Sequence, residues 1–276
     1  MKSVKWLLAA AAVLVAASCG TKKADAPKVL VLYYSQTENT KTVAETIATA
    51  LGADMEEILP VLPYDGTYQE TISRGMMERQ SGTLPELQPL TANIADYDVI
   101  FLGYPIWFGT YAPPVTALLE QVDFSGKKLV PFCTFGSGGL DSSVKDLAAA
   151  EPNAEILPGY GVRAARMAAV PQEVDRFLKA NGFLEGEAVK LDDFPEPHAV
   201  SEEEAAIFDA AVGTYPMINA QAATVTSRAV PGGVEYVFTA NDKPREGMPQ
   251  MAPPMEMKVY VIAEEGKAPE FTQVVR

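Results

Sequence analysis

Two cysteines and one histidine are all that these 276 residues offer to thiol or imidazole chemistry. Cys19 and Cys133 form no Cys-x-x-Cys, and His198 has no second histidine to share a metal with. A structural zinc site, a Ser-His-Asp triad and a Cys-His dyad each need more than this, which removes most hydrolase chemistry. Basic residues are also scarce: 22 Lys and Arg against 36 Asp and Glu leave a net charge of −14. Without a basic stripe nothing displaces counterions from a polyphosphate backbone, so no nucleic-acid partner is expected. The same charge disfavours electrostatic attachment to anionic lipid. A Gly-Lys-Ser/Thr phosphate loop is missing as well, and triphosphate hydrolysis is not indicated.

Apolar residues are plentiful, at 48%, enough for a sizeable core. The first of them belong to an address rather than a fold. Residues 1–18 place Lys2 and Lys5 before an apolar run from Trp6 to Ala17, the pattern of an export signal. "VAASC" resembles a bacterial lipobox, whose cysteine, here Cys19, is lipidated and becomes the first residue. Residues 19–27 then read as a tether, and the expected location is exported, lipid-anchored to a bacterial membrane, with the lipid as the only membrane contact. An acylated Cys19 leaves Cys133 unpaired. Cys133 sits within an apolar strand pattern and is expected to be a buried, inert thiol.

From residue 28 the pattern alternates. "KVLVLYY" (28–34) is a continuous apolar run, suited to a strand covered on both faces. "ADMEEILP", "DYDVIFLGYPIW", "KKLVPFCTF" and "EILPGYGVR" supply four more strands. Helices are expected over 41–51, 67–80, 114–122, 140–150 and 171–181. Five strands alternating with helices predict an α/β, doubly wound five-stranded parallel sheet over 28–187. After "DDFPEPH", read as a linker holding a solvated His198, Ser201 and Glu204 form a capping box for a helix ending at Gly213. "TVTSRA", "VEYVFTA", "MKVYVIAE" and "EFTQVV" alternate with period two, so residues 188–276 are expected to be a small α+β module. Residues 241–257, rich in Pro and Met, read as a mobile or interacting loop.

Three unusual junctions follow strands, where an open α/β sheet binds ligands. In "SQTENT" Ser35, Thr37 and Thr40 offer hydroxyls and Asn39 an amide, and the backbone N–H groups of 36–40 open a helix, as an anion cradle would. Taken alone, the same residues would also serve as a Ser/Thr-rich helix cap with no ligand. In "YPIWFGTY", Trp107 and Phe108 follow a strand where aromatic rings would be exposed, which favours a ligand face. In "TFGSGG", Gly136, Gly138 and Gly139 let backbone approach a flat ring. A phosphate at one end and a flat ring at the other describe flavin mononucleotide, FMN.

"YYSQTENT" resembles the phosphate loop of flavodoxins, and "YPIWFGTYAPPV" and "TFGSGG" resemble the two ring-contacting loops of the bacterial flavodoxin-like family. The resemblance implies a flavodoxin fold, bound FMN and electron transfer. By position, Ser35, Thr37, Asn39 and Thr40 would hold the phosphate. Pro105, Ile106, Trp107, Phe108 and Gly109 would frame the ring on one side, and Thr134, Gly136, Ser137, Gly138 and Gly139 on the other. Glu38 departs from the family, standing where glycine is usual. A positive φ there would cost conformational energy and the carboxylate would oppose a phosphate, with Lys41 as partial compensation. Tyr64, Tyr68 and Arg74, in the long 60–95 connection, are candidates either to cover the ligand or simply to pack.

The function expected is an exported FMN electron-transfer flavoprotein, with a redox protein or a small-molecule electron donor or acceptor as partner. Two alternatives stand beside it: an FMN-dependent NAD(P)H/quinone oxidoreductase, and a flavin-free surface binding protein on the same scaffold. The C-terminal module is faintly similar to a cystatin-like fold, but it lacks Gln-x-Val-x-Gly, so protease inhibition is not implied. It is expected to dock a protein partner or a second copy.

Overall fold

The computed structural model describes residues 27–213, 215–243 and 255–276. The stretch read as an export signal, Cys19 read as a lipidation site, nearly all of the expected tether and most of the 241–257 segment lie outside the described residues.

The chain runs β1 (Val29–Tyr33), α1 (Asn39–Leu51), β2 (Asp54–Glu57), α2 (Tyr68–Ser81), β3 (Val99–Trp107), β4 (Thr110–Tyr111), α3 (Pro113–Gln121), β5 (Lys128–Phe135), α4 (Leu140–Ala150), β6 (Glu155–Ile156), β7 (Tyr160–Arg163) and α5 (Val170–Ala180). The parallel sheet has the order β2-β1-β3-β5, with β6 and β7 both on the far side of β5. This is the doubly wound α/β sheet expected, with all five helices within a residue or two of their predicted ranges. Successive strand residues serve opposite faces. Leu30, Leu32, Ile100, Leu102 and Leu129 pack with Val115, Leu118 and Leu147 of α3 and α4. Val31, Phe101, Val130 and Phe132 pack with Val43 and Ile47 of α1 and with Val174 and Leu178 of α5. Two covered faces are why these strands read as unbroken apolar runs.

Two details differ from expectation. The fifth strand is broken at Leu157–Gly159 into β6 and β7. The Leu157 N–H donates to the Leu129 carbonyl. Pro131, two residues further along β5, points its backbone the same way and has no N–H to offer. The break therefore falls opposite the missing donor. The second difference is β4, which turns back on β3 through a two-residue hairpin at Phe108 (φ 53°) and Gly109 (φ 85°). Both turn residues take left-handed geometry, the signature of a tight hairpin.

The remaining elements are β8 (His198–Ala199), α6 (Glu202–Val212), β9 (Ala220–Val230), β10 (Gly233–Asp242), β11 (Glu256–Glu264) and β12 (Glu270–Val275). They form a five-stranded antiparallel sheet in the order β12-β11-β10-β9-β8. Phe208 and Val212 of α6 close its core on Val225, Phe238, Val259 and Phe271. The capping box at Ser201 and Glu204 is formed. His198 is exposed, as read, yet it belongs to an edge strand paired with β9 rather than to a linker, and its ring lies 2.9 Å from Glu204 Oε1.

Candidate functional site

The carboxyl ends of β1, β3 and β5 open onto one cavity of about 410 Å³. Its walls come from all three junctions: Thr37 and Asn39 after β1, Pro105, Ile106, Trp107 and Phe108 around the end of β3, and Thr134 and Gly136 around the end of β5. The size falls within the range of about 300–1,000 Å³ typical of ligand pockets.

The first junction presents donors. α1 begins at Asn39, and among the described residues no hydrogen bond takes the backbone N–H of residues 36–40. The Ser35 hydroxyl accepts from the Lys41 N–H at 3.3 Å, which holds the loop in its curl. Asn39 donates to Thr37 Oγ1 at 3.3 Å. Five unclaimed amides at the positive end of a 13-residue helix are what a bound anion needs.

Glu38 adopts φ 62°, the left-handed conformation in which glycine is the usual residue. Its carboxylate is turned outward, 70% exposed, and lies 2.8 Å from the Lys41 ammonium. That contact raises the Lys41 pKa, chiefly through the hydrogen bond to Glu38. A positive φ at a residue other than glycine weighs on the stability of the loop. Glu38→Gly is expected to tighten binding of a phosphate ligand by about two- to fivefold at low salt, by freeing Lys41 and removing a like charge. The gain should vanish at high salt, where exposed charges are screened. Titrating FMN into both forms at two ionic strengths measures this, and a salt-independent gain would contradict it.

The second junction is built from the inside out. Trp107 packs its six-membered ring against Gly75 of α2, where an added Cβ would lie 3.1 Å from the ring. It meets Tyr64 and Tyr34 edge-on, with centroids 5.2 and 6.1 Å away. Only part of the indole faces the cavity. Phe108 and Tyr68 are more exposed and stand at its mouth. Gly109 sits in the hairpin turn and does not line the cavity.

The third junction divides. Thr134 and Gly136 line the cavity, while Ser137, Gly138 and Gly139 do not. The Ser137 carbonyl accepts from the Val274 N–H of β12 at 2.6 Å. At Gly138 an added Cβ would meet the Val274 carbonyl oxygen at 2.3 Å, so this glycine admits the second sheet rather than a flat ring. At Gly139 (φ 120°) a Cβ would strike Ile106 at 2.6 Å. Arg163 locks the arrangement. It is buried at the end of β7, donates through Nε to the Gly136 carbonyl and through Nη1 to the Phe271 carbonyl, both at 2.9 Å, and lies 3.4 Å from the Phe271 ring centroid. Burial lowers its pKa. Arg166, also buried, bridges Glu173 of α5 at 2.8 Å and Glu270 of β12 at 3.2 Å.

Other positions take roles the sequence did not show, and Thr40, expected to hold a phosphate, is one of them. Thr40 is buried, and its hydroxyl meets the Thr134 hydroxyl at 2.9 Å beneath the site, tying the first junction to the third. Gln36 lines the cavity and is bolted in place, accepting from the Tyr34 hydroxyl and donating to the Tyr64 carbonyl, each at 2.6 Å. Thr71 and Ile72 of α2 and Ala164 also reach it. Of the three residues in the long connection, Tyr68 lines the cavity. Tyr64 and Arg74 pack instead: Tyr64 is buried, its hydroxyl donates to Glu78, and the Arg74 guanidinium lies 3.8 Å from its ring centroid. Cys133 is fully buried, and burial pushes its thiol up, as expected for an inert group.

Unclaimed amides at a helix N-terminus and aromatic walls meet here at the carboxyl edge of a doubly wound parallel sheet, where open α/β sheets bind ligands. Residues 28–174, just over half of the chain, match the family model for flavodoxin, and the chain belongs to that family. A candidate flavoprotein from Bacteroides eggerthii shares 27% identity over 57% of this chain and 99% of its own, with a TM-score of 0.51. A second, from Bacteroides uniformis, shares 29% identity over 54% of this chain and 98% of its own, with a TM-score of 0.49. A flavoprotein from Lactobacillus acidophilus in complex with FMN shares 24% identity over 49% of this chain and 93% of its own, with a TM-score of 0.46. The family match ends within α5, before the antiparallel sheet begins.

Proposed function

We propose that this flavodoxin-family chain binds FMN and transfers electrons. The observation that carries the reading is a single cavity with unclaimed backbone donors at one end and aromatic and glycine walls at the other. The residues fit the cofactor. The 36–40 amides and the Thr37 and Asn39 side chains suit the phosphate, and the outward turn of Glu38 keeps its carboxylate away from them. Pro105, Ile106, Trp107, Phe108 and Gly136 suit the ring, with Tyr68 at the mouth to shed water from it. FMN, once bound, supplies reversible one- or two-electron chemistry. The chain's own contribution is to hold the two ends of the cofactor and to set the polarity at the ring.

The test is a visible absorption spectrum of the purified protein, followed by titration of the flavin-free form with FMN. Flavin bands and binding at micromolar or lower concentration are the expected result. A colourless protein that ignores FMN would favour the flavin-free binding protein on this scaffold.

The export signal and lipobox-like "VAASC" support placing this protein outside the cytoplasm on a lipid anchor at Cys19. Mass spectrometry of the native N-terminus should find a diacylated or triacylated Cys19, and an unmodified terminus would rule the anchor out.

A further inference from the structure

We propose that the space between the flavodoxin domain and the antiparallel sheet is a second binding site, for a planar aromatic anion held beside the flavin cavity. The proposal deepens the FMN reading and rests on it in one respect, that the ligand lies next to a flavin ring.

The space is about 670 Å³, larger than the cavity proposed for the cofactor. The two are neighbours that share Tyr68, Ile106, Phe108, Phe135 and Gly136, so a ligand in one lies against the edge of the other. One wall is the 136–139 backbone with Asp141 and Lys145 of α4. The opposite wall is Tyr215 and Gln273 with the end of β12. Neither domain alone encloses it.

The second wall is fixed. Arg163 joins the carbonyls of Gly136 and Phe271, Val274 pairs with Ser137, and the bare Cα of Gly138 receives the Val274 carbonyl. A site built on such braced elements is preorganised, so little ordering opposes binding. Bracing of this kind also explains why the third junction assigns Ser137 and Gly138 to the module.

The lining states the ligand chemistry. Phe108, Tyr68 and Tyr215 supply aromatic faces suited to a flat ring. The ammonium of the exposed Lys145, the Tyr215 hydroxyl and the Gln273 carboxamide line the space, and none has a hydrogen-bond or ion-pair partner among the described residues. All three groups are open to the space and can donate to an acceptor there, and the ammonium favours a charged one. Arg276 adds a second cationic side chain, one of whose N–H groups goes to the Met217 carbonyl. Asp141 is the only carboxylate side chain on the lining, against the cationic side chains of Lys145 and Arg276. A sulfonate, carboxylate or phenolate on a flat ring is the ligand class that suits this lining.

The probe is anthraquinone-2-sulfonate, titrated calorimetrically into full-length protein saturated with FMN. Wild type should bind it, with a parallel perturbation of the flavin absorbance. Lys145→Gln and Gln273→Ala should each weaken binding by about three- to tenfold, and Tyr215→Phe should weaken it less. All three should keep the wild-type melting temperature and FMN affinity. Absence of probe binding, binding indifferent to Lys145 and Gln273, or competition between probe and FMN would each overturn the proposal. The same titration on flavin-free protein separates the two readings. Probe binding that depends on Lys145 and Gln273 in a protein that never takes up FMN would refute the cofactor and leave the interdomain site standing.

Discussion

Arg163→Ala is expected to lower the free energy of unfolding by about 3 kcal/mol and to weaken FMN binding by at least tenfold. The first figure follows from two hydrogen bonds donated by a charged group to the Gly136 and Phe271 carbonyls, each contributing about 1.5–3 kcal/mol, offset in part by water reaching the exposed acceptors. Loss of the guanidinium packed 3.4 Å over Phe271 adds to it. The second effect follows from geometry. Gly136 lines the proposed cofactor cavity and is the residue that Arg163 pins, so releasing it lets the 134–139 junction sample arrangements that no longer close on a ring. Arg163→Lys should not rescue either effect, because one ammonium cannot span two carbonyls that a planar fork reaches together. Chemical denaturation and FMN titration of the three forms supply the measurements. Unchanged stability and affinity in Arg163→Ala would show that the antiparallel module is not seated on the ring junction.

Trp107→Ala should act on both stability and function, through different faces of the same indole. Its six-membered ring supports α2 at Gly75, and its edges meet Tyr34 and Tyr64. Removing it leaves a void under the helix, a loss of about 2–4 kcal/mol in stability. The part that faces the cavity should contribute about 1–3 kcal/mol to holding a flat ring, a factor of about 5–150 in dissociation constant. The flavin's reduction potential should also rise, since an electron-rich ring no longer opposes added negative charge. Three observables are thus expected to move together: melting temperature, FMN affinity and potential. A variant that loses stability but keeps its FMN affinity would mean that Trp107 serves only as packing for α2, and that Phe108 and Tyr68 alone face the ring.

Periodicity and end signals determined most of the architecture without help. Apolar runs covered on both faces and a capping box at Ser201 and Glu204 are local, and each leaves its mark within a few adjacent positions. The anomaly at Glu38 was legible through the resemblance instead, since glycine is usual at that place in the flavodoxin loop, and φ 62° is what Glu38 adopts. The break in the fifth strand was not, because its cause lies on the neighbouring strand at Pro131. Nor was the division of the third junction. Ser137 and Gly138 read as ring-contacting residues by position, yet their neighbour is Val274, 136 residues after Gly138. Thr40 reads as a phosphate ligand, yet its hydroxyl is buried against Thr134. Such contacts join positions about a hundred residues apart, and the chain carries no periodic trace of them. The sequence alone determined where strands, helices and ligand-type loops lie. Only tertiary structure decided which loop residues face the cavity, because that depends on which distant backbone arrives to claim the rest.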